Sequence, residues 1–288
     1  MLISYWLLLL ALQKEFKMRK KKLLKKIRHK IYELSPTYKK ALHLEERLTR
    51  IEKMLISMCG TNSYLHTVEI KGESFYFYDS PSSNSVDFIA SEFQSESNFD
   101  FEKIDFKPGD IVVDIGGNIG MVAVYIALKF PFLKIYSFEP AKQNYDNFIK
   151  NIKLHNITNV VVENKAVTKD GRIVELMYDA VNTGSSTMTK DMHRAHALRN
   201  ILKIEKVQSI TLDQIFEKYG LKHCKLLKID CEGAEYEILY NTKVLGNIEN
   251  IHGEVHDCDR ETKNGDALIS YCKQFIPQNK IKLAVCRL

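Results

Sequence analysis

A chain of 288 residues with 45% hydrophobic and 27% charged residues carries enough apolar material for one large core plus an appendage, which excludes wholesale disorder. Its net charge of +6 is unevenly spread: Met1 to Met58 holds 15 Lys and Arg against 5 Asp and Glu, so the other 230 residues are net −4. A body of that sign matches a phosphate backbone poorly, and nucleic acid is not expected as a partner.

The first segment, Met1 to Leu12, is apolar but shorter than the roughly 17 to 25 residues that span a bilayer. Its charges follow the apolar run instead of preceding it, so a secretory leader is not expected. An interfacial anchor, a helix packed on the body or on a partner, or an upstream mis-start remain open. From Lys14 to Lys30 the chain is dense in Lys and Arg, with Leu23, Leu24, Ile27, Ile31 and Leu34 at helical spacing. That pattern predicts a basic amphipathic helix suited to peripheral contact with an anionic membrane. Ser35-Pro36 interrupts it. Leu44, Leu48, Ile51, Leu55 and Met58 then follow the spacing of a short coiled-coil seam, the mark of a helical hairpin or a homodimer contact.

These features divide the chain into a basic helical extension over 1–60, a lead-in over 61–105 and a main domain over 106–288. The lead-in has β-like runs at His66 to Ile70 and Ser74 to Tyr78 and a Ser-rich loop at Ser80 to Ser85, read as strands and a lid. The cysteines Cys59, Cys224, Cys231, Cys258, Cys272 and Cys286 form no CxxC pair and read as reduced thiols of a cytoplasmic protein.

From Asp110 onward, apolar runs alternate with helical patterns. Strands are expected at Asp110 to Ile115, Lys134 to Phe138, Asn159 to Val167, Cys224 to Ile229 and Ile248 to His256. Helices are expected at Ile119 to Lys129, Ala141 to His155, Leu212 to Tyr219 and Ala234 to Tyr240. This order predicts a doubly wound α/β domain with a mostly parallel sheet. Two further strands, Arg172 to Tyr178 and Ile204 to Ile210, flank an excursion from Asp179 to Asn200.

In such a sheet, ligands bind beyond the carboxyl ends of the strands where strand order reverses. The first strand ends in Asp114-Ile115-Gly116-Gly117-Asn118-Ile119-Gly120. A dinucleotide loop needs G-x-G-x-x-G, but Asn118 and Met121 stand at its second and third glycine positions, so the dehydrogenase pattern fails. The pattern that fits is D-x-G-x-N-x-G. Glu139 ends the next strand, where a carboxylate accepts hydrogen bonds from ribose hydroxyls, and Pro140 is read as opening the following helix. At the end of the third strand, Asn164 is a candidate polar contact to a purine and Ala166 leaves it room. Asp114, Gly116, Gly117, Asn118, Gly120, Glu139, Asn164 and Ala166 are therefore the candidate cofactor residues.

A second constellation follows the fourth strand: Asp230-Cys231-Glu232-Gly233-Ala234-Glu235. The fifth strand ends Glu254-Val255-His256, with Glu254 and His256 on one face because side chains alternate. Asp230, Glu232, Glu254 and His256 are candidate catalytic residues, one of them serving as general base. Asp230, Glu254 and His256 alternatively suit a divalent metal. Glu235 reads as a solvated carboxylate capping a helix N-terminus.

These stretches resemble the FkbM-type methyltransferase family. The carriers are Val113 to Gly120, Phe138-Glu139-Pro140, Ile210-Thr211-Leu212-Asp213 and Lys228 to Glu235, within a match that spans roughly Phe106 to His256, about half of the chain. The resemblance implies a class I, Rossmann-like methyltransferase domain with S-adenosyl-L-methionine as donor. It also implies O-methylation, often of sugars in bacterial surface glycans, in the cytoplasm or at the inner membrane surface. That fold closes its sheet with an antiparallel pair, yet the residues after Phe275 suffice for one strand, Lys280 to Cys286, so the edge is expected to be incomplete or closed by a partner. An acceptor under the Asp179 to Asn200 excursion would meet Asn182, Thr183, Ser185, Ser186, Thr187, His193 and His196. The competing readings are an RNA or other small-molecule methyltransferase and a noncatalytic membrane-associated binding module. The acidic Cys231-Glu232-Gly233 run, where base methylases carry a Pro-Pro-aromatic run, weighs against RNA.

Overall fold

A computed structural model describes residues 63–80, 83, 85–94, 100–179, 202–257 and 264–287. The chain divides into two units, Met1–Gly60 and Thr61–Leu288. The expected basic helix and coiled-coil seam lie outside the described residues, as does nearly all of the Asp179 to Asn200 excursion.

Strands β1 (Tyr64–Ile70) and β2 (Glu73–Asp79) form an antiparallel hairpin. Its two-residue turn puts Lys71 and Gly72 at φ 48 and 82, the positive values that match the twist of a tight hairpin. Next comes a helix that the Ser-rich reading does not anticipate, α1 (Ser85–Gln94). Val86, Ile89, Ala90 and Phe93 are buried along one of its faces. That stripe joins Phe75, Phe77, Phe101 and Tyr125 in one apolar cluster, which fixes the helix on the body.

The central sheet is built from β3 (Ile111–Ile115), β4 (Lys134–Phe138), β5 (Val160–Glu163), β10 (Cys224–Ile229), β11 (Ile248–Asp257) and β12 (Ile281–Arg287). Their order is β12-β11-β10-β3-β4-β5, with every pairing parallel. Strand order therefore reverses between β3 and β10. One face is covered by α2 (Met121–Lys129) and α3 (Lys142–Leu154), the other by α4 (Leu212–Tyr219), α5 (Glu235–Leu239) and α6 (Gly265–Cys272). Neighbouring residues of β3 split between the two cores, Val112 into one and Val113 into the other. Strands buried on both faces read as unbroken apolar runs for this reason.

The structure revises two sequence expectations, the extent of the third strand and the start of α3, and bears out a single closing strand. The strand expected from Asn159 to Val167 breaks at Asn164: β5 stays in the main sheet, while β6 (Ala166–Val167) pairs in parallel with β9 (Ser209–Ile210). Nearby, β7 (Val174–Asp179) and β8 (Leu202–Val207) form a separate antiparallel pair. Pro140 does not open α3, which starts at Lys142 after Ala141 in extended conformation. The closing strand β12 runs parallel to β11, and no antiparallel partner joins the central sheet among the described residues. A helical crossover through α6 returns the chain in its original direction, so the last strand must be parallel. Among the described residues no helix is long and apolar enough to cross a membrane.

Candidate active site

The reversal point between β3 and β10 carries the glycine loop. Gly116 has φ +79, and a Cβ there would lie 1.8 Å from the Asp230 carbonyl oxygen. Only glycine lets this backbone pass so close to the end of β10. The loop is pinned on both sides: the Gly116 and Gly117 amides each donate to the Phe138 carbonyl at 3.0 Å, and Lys228 Nζ donates to the Gly116 carbonyl at 2.6 Å.

An open cleft lies beside this loop. Its walls come from the β3 loop (Ile115, Gly116, Asn118), the end of β4 (Phe138, Glu139, Pro140), the β6 and β7 strands (Ala166, Val167, Leu176) and the β10 loop (Asp230, Cys231, Glu232), with Asn144. Of the candidate cofactor residues, Gly116, Asn118, Glu139 and Ala166 line it. Asp114, Gly117, Gly120 and Asn164 stand behind it. Asp114 is 1% exposed, accepts from Ser137 Oγ at 2.6 Å and lies 3.4 Å from Lys228 Nζ. Gly117 and Gly120 pack on Phe148, whose ring a Cβ at Gly120 would meet at 2.1 Å. Asn164 donates to the carbonyls of Glu139 and Pro140 at 2.9 and 2.8 Å, so it fixes the backbone that presents Glu139.

Glu139 accepts from the Asn118 and Ala141 amides, each at 2.8 Å. Burial pushes its carboxyl up to about 7, against the pull of those amides and of Lys228. A dry carboxylate held at a strand end, beside the apolar Phe138, Ala166, Val167 and Leu176, fits a ligand with a ribose diol and a flat purine.

The acidic constellation adjoins this cleft. Glu235 is fully buried and accepts from the amides of Cys231 at 3.0 Å and Gly233 at 3.0 and 3.2 Å. This replaces the expected solvated cap: the turn that carries Glu232 at φ 53 leaves inward-facing amides that need an acceptor. Glu235 also bonds His256 Nδ1 at 3.1 Å. His256 Nε2 then points at Glu232, 3.6 Å away, and Glu254, 3.9 Å away, and Cys286 Sγ donates to Glu254 at 3.0 Å. The four candidate catalytic residues thus come together. Among the described residues, metal-compatible donors fall into two triads sharing His256, one with Asp230 and Glu232 and one with Glu254 and Cys286, each with all atoms within 4.8 Å, so the expected set of Asp230, Glu254 and His256 is split between them.

The electrostatics follow from this crowding. Burial, then the nearby carboxylates Asp230, Glu235 and Glu254, raise Glu232 to about 8, with His256 opposing them. Burial works against a charged His256, yet the Glu235 bond and the surrounding carboxylates hold it up to about 10. One group escaped the sequence reading: Glu92 of α1, raised to about 8 by burial and then by Asp230 and Glu254. Lys228 and Glu235 lay inside a recognised motif, but their buried roles did not show in it. Only the helical spacing around Glu92 offered a signal for it.

A family profile described as the methyltransferase FkbM domain matches residues 114–271, just over half of the chain. Among curated proteins the chain is similar to "Methyltransferase 1" of Beauveria bassiana, 27% identical over 180 residues covering 58% of this chain and 72% of the relative. It is also similar to "31-O-demethyl-FK506 methyltransferase FkbM" of Streptomyces tacrolimicus, 25% identical over 54% of this chain and 69% of the relative. Among solved structures, a precorrin-6y C5,15-methyltransferase from Geobacter metallireducens matches with TM-score 0.32 and 13% identity, over 52% of this chain and 57% of that one. With the glycine loop, the strand-end Glu139 and the acidic turn assembled at one sheet edge, this chain belongs to the FkbM methyltransferase family and is an S-adenosyl-L-methionine-dependent methyltransferase.

Proposed function

We propose that the enzyme methylates a hydroxyl oxygen of a sugar or glycan, of the bacterial surface polysaccharide or glycolipid type. The observation that carries this reading is the half-buried carboxylate cluster of Asp230, Glu232 and Glu254 beside the cofactor cleft. A hydroxyl is a weak nucleophile and must lose its proton as it attacks. In the transfer, the bond from sulfur to methyl breaks, sulfur keeps the electron pair and loses its positive charge, and a new oxygen–carbon bond forms. The hydroxyl proton passes to a carboxylate. Glu232, raised to about 8, suits this task near neutral pH. His256, held near 10, already carries its proton there and acts as the charge partner that orients the acids.

The cofactor half of the site positions the donor. Glu139 binds the ribose hydroxyls, Ala166 and Leu176 flank the purine, and the Gly116 turn lets the ligand approach the backbone. The positively charged sulfonium is favoured by the acidic turn next to it. Asn182, Thr183, Ser185 and Ser186, in the segment after β7, have the hydrogen-bonding character that a hydroxyl-rich acceptor requires. In this reading the basic N-terminal segment rests on an anionic inner-membrane surface, the Leu44 to Met58 seam makes a homodimer, and nucleic acid is not bound.

A second acceptor class, a hydroxylated small natural product, is favoured by the name of the Streptomyces relative, whose methylation is at an oxygen. The deciding experiment is methyl transfer from labelled donor to a panel of nucleotide sugars, lipid-linked glycans and polyketide alcohols. Transfer confined to sugar hydroxyls supports the proposal. Transfer confined to polyketide alcohols, or to amines, refutes it.

A further inference from the structure

The hairpin of β1 and β2 leaves one edge of β2 without a strand partner, and an uncovered edge presents unpaired amides and carbonyls. Helix α3 covers it with side chains. His155 Nε2 donates to the Tyr76 carbonyl at 2.7 Å. Asn151 Oδ1 accepts from the Tyr78 amide at 2.6 Å, and Asn151 Nδ2 donates to the Tyr78 carbonyl at 3.0 Å. Two residues along a strand advance about 6.7 Å and four along a helix about 6 Å, so Tyr76 and Tyr78 meet His155 and Asn151 in antiparallel order. Asn151 also reaches the glycine loop, where its Nδ2 donates to the Ile119 carbonyl at 2.8 Å. Ile119 stands between Asn118 and Gly120, at φ 50 and 85. A non-glycine residue such as Asn118 holds that left-handed conformation only when its surroundings impose it. The Asn118 amide in turn donates to Glu139 at 2.8 Å. Asn151 is fully buried, and an amide side chain offers two hydrogens and one oxygen, so Tyr78 and Ile119 take both hydrogens. Two turns earlier on the same face of α3, Asn144 lines the cleft.

We propose that Asn151 is a positioning residue for the methyl donor. It fastens the Ile119 carbonyl to the free edge of β2 and so fixes the Asn118 amide that holds Glu139. The lead-in hairpin and the glycine loop then shift together. Linkage is reciprocal, so a donor bound at Glu139 steadies the Tyr78 end of the hairpin. His155 supplies the contrast: it grips the same edge one rung away, at Tyr76, and among the described residues its ring makes no hydrogen bond to the glycine loop. Asparagine is the residue this junction demands, because aspartate lacks both hydrogens and leucine can make none of the three bonds. The inference rests on Glu139 as the ribose carboxylate and on nothing about the acceptor.

The experiment uses the full chain and needs no acceptor. Calorimetry measures S-adenosyl-L-methionine affinity for wild type, Asn151→Leu, His155→Leu and Glu139→Gln. Hydrogen exchange followed by mass spectrometry is read over residues 73–80, with residues 281–287 of β12 as reference. Asn151→Leu should weaken donor binding about tenfold, while His155→Leu stays within about twofold of wild type. Saturating donor should slow exchange over 73–80, beyond any slowing in β12, in wild type and His155→Leu but not in Asn151→Leu. Unchanged affinity in Asn151→Leu overturns the proposal, and so does equal weakening by Asn151→Leu and His155→Leu, which would reduce Asn151 to a clamp on the hairpin. If Asn151→Leu fails to fold, the wild-type exchange decides: slowing over 73–80 supports the coupling, and its absence refutes it. Weakened binding in Glu139→Gln with wild-type binding in Asn151→Leu removes the positioning role alone. The reverse pattern keeps Asn151 in that role and moves the ribose away from Glu139.

Discussion

Glu139→Gln separates the cofactor site from the rest of the fold. The wild-type carboxylate is 4% exposed and titrates near 7, whereas an unfolded glutamate titrates near 4.3. Because the folded value is the higher one, this group's contribution to stability is complete below about pH 4 and is lost as pH rises through 7. Roughly 2.5 units correspond to about 3 kcal/mol by pH 8. The neutral glutamine carries no such slope, so the pH dependence of wild-type and variant stability should differ by that amount between pH 5 and 8. Ribose hydroxyls bind the ionised form, so wild-type cofactor affinity should rise about tenfold from pH 6 to pH 8. In the variant the charge-assisted bonds are gone, which costs about 1.5 to 3 kcal/mol, or about 10- to 150-fold in Kd at pH 8. Glu92 and Glu232 titrate near 8 in the neighbouring cluster, so the difference between the two proteins isolates Glu139. Calorimetry at pH 6, 7 and 8 decides the matter. A wild type with pH-independent affinity, or a variant that binds as tightly at pH 8, refutes the assignment of Glu139 to the ribose.

Other expectations are as direct. Gly116→Ala forces a Cβ onto a backbone carbonyl 1.8 Å away at φ +79 and should cost at least about 3 kcal/mol in urea unfolding; an unchanged midpoint would show that the loop relaxes freely. Phe93→Ala removes a 3%-exposed ring packed 4.8 Å from Tyr125 and 6.4 Å from Phe101, centroid to centroid, and should cost about 3 to 5 kcal/mol. A loss below about 1 kcal/mol would mean that α1 is not part of the core. Glu235→Gln should destabilise by about 3 to 5 kcal/mol and move the His256 proton NMR titration down from about 10 toward the ordinary imidazole range. Asp230→Asn or Glu254→Gln should abolish transfer in a labelled-donor assay while cofactor affinity stays within a few fold; collapse of that affinity instead would assign these acids to the donor.

Much of the sheet was legible because strands buried on both faces cannot hide. Cys224 to Ile229 is buried at every position, Lys225 and Lys228 included, and carries the same bounds in the sequence reading. Helix α1 was hidden because Val86, Ile89, Ala90 and Phe93 sit among serines and acids, where a short stripe of four apolar positions is outweighed by turn formers. The motif located the site but did not rank its members. Asp114 in the motif and Asn164 at a strand end hold their neighbours, Lys228 and the Glu139 carbonyl, behind the cleft wall. Glu235 looked like any surface carboxylate beside a helix start, since burial of an acid is decided by the fold around it. The direction of β12 depended on the crossover that precedes it, which composition does not encode.

Gly116 rests against the Asp230 carbonyl while Lys228 grips the Gly116 carbonyl, so the donor loop and the acidic loop meet at a single backbone junction. A substitution that shifts either loop drags the other with it. Descendants of this chain therefore have little freedom to change acceptor by remodelling the junction. If the proposed acceptor placement holds, variation in acceptor choice falls to elements whose backbones stand clear of the junction, such as the β7–β8 pair, and grafting that pair between relatives tests whether acceptor preference moves with it under a constant donor chemistry.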